Sequence, residues 1–148
     1  MLNKTNRIKL LESSTKQALT NFGDLLKDGT LTDVVITLDD GREFHAHKAI
    51  LAARSPVFAA MFQHRELKES RENRIEVTDI DGDVFEGVLL YIYTGKIPAM
   101  NVEGITEQYL AVADKYQLDS LKLICEESFC VRISPESVSR LLVLADLY

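Results

Sequence analysis

Between Ser13 and Leu26 the apolar side chains fall at Ala18, Leu19, Phe22, Leu25 and Leu26, three or four residues apart. That spacing gathers them on one face of a helix. Ser13 or Ser14 can accept the first unpaired amide hydrogens and Gly29 follows the last apolar residue, so the pattern predicts an amphipathic helix with both ends marked. The period then changes. Asp33-Val-Val-Ile-Thr-Leu38 is short and β-branched, Asp39-Asp40-Gly41 can turn, and Arg42-Glu-Phe-His45 resumes an extended run, as expected of a β-hairpin.

From His47 to Ala53 the run of Ala, Ile and Leu reads as helix until Ser55-Pro56, because a residue before proline avoids helical angles. Ser55 as cap and Pro56 at the first helical position start a second helix through Phe62. Arg65 to Asn73 is charged and aperiodic, a loop or a frayed helix end, and Arg74-Ile-Glu-Val77 alternates like an edge strand. Asp81 can cap a helix with a buried stripe of Phe85, Val88, Leu89 and Ile92, closed at Thr94-Gly95, with Pro98 confirming the stop. Two further stripes follow: Ile105, Tyr109, Val112, Ala113 and Tyr116, then Leu121, Ile124, Cys125, Ser128 and Phe129. Ser134-Pro135-Glu136 repeats the cap-then-proline start, and the last stripe, Val138, Leu141, Leu142 and Ala145, runs to Tyr148 with no C-cap, so this helix looks cut off.

Short strands mixed with helices, then helices alone, define an α+β architecture with a helical tail. There is no internal repeat and no Gly/Ser linker. A chain of 148 residues, 46% hydrophobic and 27% charged, suits one domain. A formal charge of −6 argues against a sequence-independent nucleic-acid surface, which needs clustered Lys and Arg. No apolar run approaches the roughly 20 residues that cross a bilayer, and Met1 to Leu11 lacks a signal-peptide core, so no membrane partner is expected and an intracellular location, nucleus or cytoplasm, is. Cys125 and Cys130, five apart in a helical pattern, read as reduced buried thiols.

Catalysis needs nucleophile, base and orienting group within reach, and Ser55, His47 and Asp33 are the available set, without a Gly-x-Ser-x-Gly elbow. The seven glycines are scattered singly, so no phosphate cradle is indicated. His45-x-His47 could place two imidazoles on one strand face, yet no Cys or carboxylate pair completes a metal set, and buried or hydrogen-bonded histidines are the better reading. Tyr91, Tyr93, Tyr109 and Tyr116 sit at core-stripe or stripe-edge positions, where aromatics usually pack inward. No cofactor, metal or small-molecule substrate is expected, and an enzyme is the weak hypothesis.

The run Thr32-Asp33-Val34-Val35-Ile36, then Phe44-His45-Ala46-His47-Lys48-Ala49-Ile50-Leu51-Ala52-Ala53-Arg54-Ser55-Pro56-Val57-Phe58 and Met61-Phe62, resembles the BTB/POZ signature. Asn73 to Val77, Tyr91-Ile92-Tyr93-Thr94-Gly95-Lys96, Ala113-Asp114-Lys115-Tyr116 and Leu144-Ala145-Asp146-Leu147 resemble the speckle-type POZ (MATH-BTB) branch in particular. The resemblance implies a short mixed sheet flanked by helices, a homodimer, and a non-catalytic adaptor for cullin-3 ubiquitin ligases. It divides the chain into an N-terminal extension, partly helical, over 1–17, the BTB/POZ domain over 18–131, and over 132–148 the first helix of an incomplete "3-box". Substrate recognition, which belongs to a MATH domain in that branch, would lie outside this chain.

The same resemblance assigns roles to particular residues. Leu67 and Glu69 match a hydrophobic-x-Glu motif that grips the cullin-3 N-terminal domain, although four residues separate Phe62 from Leu67 where three are expected. Asp114 matches a position on the cullin-facing helix. Ala18, Phe22, Leu25, Leu26 and Ile50 would meet their symmetry mates in the dimer. Asp33, His47 and Lys48 match a partly buried polar pocket, read as structural since an unpartnered buried charge is costly. The alternative function is a BTB dimerisation scaffold that holds a corepressor or other peptide without cullin.

Overall fold

Among the described residues a sheet of three short strands, in the order β2-β1-β3, organises the first part of the molecule. The structure, a computed structural model, describes residues 3–64, 72–98 and 103–132. They fall into two compact units, Met1–Pro98 and Ala99–Tyr148. The first holds α1 (Lys4–Asp28), β1 (Val34–Leu38), β2 (Glu43–Ala46), α2 (Lys48–Arg54), α3 (Pro56–Gln63), β3 (Arg74–Val77) and α4 (Gly82–Thr94). The second holds α5 (Glu103–Lys115) and α6 (Asp119–Arg132).

The β1–β2 pair is the expected hairpin. Its register sets Val34 against Ala46 and Thr37 against Glu43. Leu38 donates to the carbonyl of Arg42 at 2.9 Å, and Gly41 closes the turn with φ of 88°, a left-handed angle that glycine takes without strain. Alternation along β1 buries Val34, Ile36 and Leu38, and β3 buries Ile75 and Val77 on the same principle. β3 runs parallel to β1, with Val35 beside Arg74 and Leu38 beside Val77, which the local pattern does not reveal. Parallel pairing needs a crossover, and α2 and α3 lie in it.

α1 begins far earlier than the apolar pattern indicates. Its cap is Asn3, whose side chain accepts from the Asn6 amide at 2.8 Å, and Ser13 and Ser14 lie inside the helix instead of capping it. The pattern starts late because residues 3–18 bury nothing and carry no core-facing stripe. Gly29 ends the helix in the left-handed region, as expected. Ser55 both ends α2 and caps α3, with its hydroxyl accepting from the Phe58 amide at 3.3 Å and Pro56 following.

Asp81 caps α4 through the amides of Asp83 and Val84, and Gly95 closes it at φ 69°. Beyond the expected stripe, α4 also buries Val84, Tyr91, Tyr93 and Thr94. A helix packed by both α1 and α2 has little solvent face left. Arg42 fastens the hairpin to the start of α4, its guanidinium donating to Asp40 and Asp83 at 2.7 Å each.

In the second unit Tyr109, Val112 and Ala113 are buried on α5, Tyr116 in the turn just after it, and Leu121 and Cys125 on α6. Two sequence expectations need correction here. Ile124 is 38% exposed, one step around the helix from the buried pair, and Cys130 is exposed, so only Cys125 is a buried thiol, its pKa raised by burial. The predicted helix from Ser134, like Leu67 and Glu69, lies outside the described residues.

Candidate functional site

Strand β2 ends at Ala46, and His47 sits between it and α2, 8% exposed. The imidazole Nε2 is 2.6 Å from the Thr30 carbonyl, which can only accept, so the ring hydrogen belongs on Nε2. Nδ1 then accepts from the Tyr93 hydroxyl at 2.7 Å, while the Tyr93 oxygen accepts from the His47 backbone amide at 2.8 Å. Burial pushes the Tyr93 hydroxyl up to about 12, so it stays protonated and able to donate. One histidine thereby ties the segment after α1, the start of α2 and the end of α4.

Asp33 and Lys48 work beside it but separately. His47 offers no capping side chain to α2, and the Asp33 carboxylate accepts from the Lys48 backbone amide at 2.7 Å instead, placing a negative charge at the helix N-terminus. The Lys48 ammonium reaches away to the side-chain carbonyl of Asn73. The three residues expected in one polar pocket thus cluster around the head of α2, with no direct ion pair between Asp33 and Lys48 among the described residues, and Asp33 is exposed. Ser55 is occupied as a helix cap and His45 is exposed, so neither shares the environment of His47.

The apolar residues expected in a self-contact lie on α1 and α2. Phe22 is 46% exposed, Leu25, Leu26 and Ile50 are half-buried, and Ala18 is exposed. The earlier turns add Ile8, Leu10 and Leu11 at 47%, 56% and 69% exposed, which the sequence pattern missed because no core-facing period runs through them. Just past α1, Leu31 is 85% exposed and holds a left-handed φ of 59°, an uncommon conformation for a branched side chain. No sequence signal marks it.

Asp114 lies on the exposed side of α5 and accepts from the Lys122 ammonium of α6 at 2.7 Å, with 70% of its side chain still open to solvent. Tyr116 faces inward, and burial raises its hydroxyl to about 12.

A small mixed sheet walled by helices, a histidine serving as a structural tie and an unburied leading helix describe an interaction domain more readily than a catalytic one. Residues 22–146 match the BTB/POZ domain, and the chain belongs to that family. Among solved structures it is similar to the BTB domain of zebrafish PATZ1, with 28% identity and a TM-score of 0.66 over 80% of this chain and 92% of that one. Neither match singles out the speckle-type branch.

Proposed function

We infer that this chain is a non-catalytic protein-interaction module that pairs with a second copy of itself through α1 and the exposed side of α2. The observation that carries this reading is a helix of 25 residues with no buried side chain, on which Ile8, Leu11 and Phe22 stay open to solvent. A two-fold contact lets one such patch cover its own copy. Membership of the family supports it, as BTB domains typically pair and bind partner proteins. Light scattering tests the reading: the wild type should have twice the monomer mass and Phe22→Glu the monomer mass, with unchanged circular dichroism. A wild type that stays monomeric at high concentration removes self-association.

A second reading, the cullin-3 adaptor of the speckle-type branch, is favoured by Asp114. Its carboxylate is paired on one side only and is open to a partner's cation. Such a rim charge tunes association rate more than affinity. Calorimetric titration with the cullin-3 N-terminal domain tests it, and Leu67→Ala should weaken binding by about 1–3 kcal/mol while leaving the dimer mass unchanged. Dimer mass with no heat of binding leaves the scaffold function alone.

A further inference from the structure

Strand β2 lies at the edge of the sheet. In an antiparallel pair, alternate residues turn their backbone groups toward the neighbour and away from it. Leu38 donates to the Arg42 carbonyl and Ala46 accepts from Asp33, so Arg42, Phe44 and Ala46 face β1. Glu43 and His45 therefore turn both N–H and C=O outward, and no backbone partner meets them there among the described residues. An edge left open in this way is a template for another strand.

The space beside that edge is a cleft of about 970 Å³, walled by the last turns of α1 and by α4. Phe44, Leu89 and Leu90 supply its apolar floor. Its α1 wall carries Asp24 and Asp28, one turn apart on the same side, at the helix end where the backbone dipole is already negative. Like charges at that spacing and at that end both destabilise a helix. Neither aspartate forms an ion pair among the described residues, nor does Glu86 on the α4 wall. Lys27 and Lys96 also line the cleft, against the carboxylates of Asp24, Asp28, Glu43 and Glu86, so its balance of charge is acidic, and it combines open strand-pairing groups with acids that a cation would relieve.

We propose that β2 accepts an extended segment of a partner protein as an added strand, one whose apolar side chains alternate with lysine or arginine. Its backbone pairs with Glu43 and His45, its apolar side chains enter the floor at Leu89 and Leu90, and its cations meet Asp24, Asp28 and Glu86. At 3.6 residues per turn, Thr20, Gly23 and Lys27 of the cleft wall fall on the opposite side of α1 from Ala18, Phe22 and Leu25, while Asp24, Asp28 and Leu26 lie on the flanks between the two. Strand addition and self-association therefore meet at Leu26 but centre on different parts of the helix surface, and the first does not rest on the second.

The test uses the full chain with a short acetylated peptide of alternating valine and lysine, fluorescently labelled and titrated at low salt. Saturable binding is expected, with slowed hydrogen exchange at the Glu43 and His45 amides. The double variant Asp24→Lys/Asp28→Lys should bind about tenfold more weakly with unchanged circular dichroism, since two attractions become repulsions. Phe22→Glu should bind as the wild type does. A peptide methylated on alternate backbone nitrogens keeps the charge and cannot pair, so equal binding by it overturns strand addition. Equal binding by a valine–glutamate peptide overturns the assigned chemistry. Absence of binding, or exchange protection of Glu43 and His45 that rises with protein concentration alone, overturns the proposal, the latter by giving the edge to a second copy.

Discussion

Replacing Tyr93 by phenylalanine removes one oxygen from a residue that is 2% exposed and leaves the ring that fills the site. No cavity forms, so the cost is purely one of hydrogen bonding. Two groups of His47 lose their partner together: the backbone amide, 2.8 Å from the hydroxyl, and Nδ1, 2.7 Å from it. Each buried group left unpaired costs about 1–3 kcal/mol, so Tyr93→Phe should lose about 2–6 kcal/mol. That is a large part of the roughly 5–15 kcal/mol that holds a domain together. Urea unfolding followed by circular dichroism reads it as a lower midpoint at unchanged slope. A loss under about 0.5 kcal/mol would refute the argument, because it would mean that water or a rotated imidazole satisfies both groups at no cost.

Three more outcomes follow from the same geometry. Asp33→Ala strips α2 of the carboxylate that caps it and should cost about 1 kcal/mol, with Asp33→Asn recovering most of it, as read by urea midpoints. Gly23→Ala gains about 1 kcal/mol of helix propensity but sets a methyl group 2.8 Å from the Thr94 methyl. Thr94 cannot turn aside, its hydroxyl donating to Leu90 and accepting from Lys96, so the variant should be less stable than the wild type, and a higher melting temperature would show that α1 slides freely. Tyr116 is raised from 10.0 to about 12 by burial, so the folded state holds its proton more tightly than the unfolded one; the stability it contributes is intact below pH 10 and lost by about pH 12, and Tyr116→Phe should flatten that alkaline decline in urea midpoints.

Where one residue's chemistry decides a local conformation, the sequence spoke clearly. Gly41 and Gly95 at left-handed angles, Ser55 before Pro56 and Asp81 before α4 each mark a boundary that the structure keeps. The pattern was silent where a partner comes from far along the chain. That β3 joins β1 in parallel depends on the path of the intervening helices, and the partner of the His47 Nε2 is a backbone carbonyl, which any residue type could supply at position 30. Asp33 reads from the sequence as polar and structural, but its role as the cap of α2 arises only because β1 begins beside that helix. The first turns of α1 escaped notice for the opposite reason: their leucines and isoleucine face no core, so periodicity had nothing to report.

How α1 stays in place with no buried side chain bears directly on function. It is held by close approach and by backbone groups: Gly23 lets the backbone come up against Thr94, Thr32 donates to the Gly29 carbonyl at 3.3 Å, and His47 grips the Thr30 carbonyl at 2.6 Å. Fastening a helix mainly at its C-terminal end leaves Ile8, Leu11 and Phe22 free for a partner while their positions remain fixed, which lowers the entropy lost on docking. The tie also runs in one direction of consequence. Cutting it at Tyr93 frees His47 to leave Thr30, so Tyr93→Phe should weaken self-association at urea concentrations where the fold is still intact, whereas Phe22→Glu should abolish self-association and leave the unfolding midpoint of the monomer nearly unchanged.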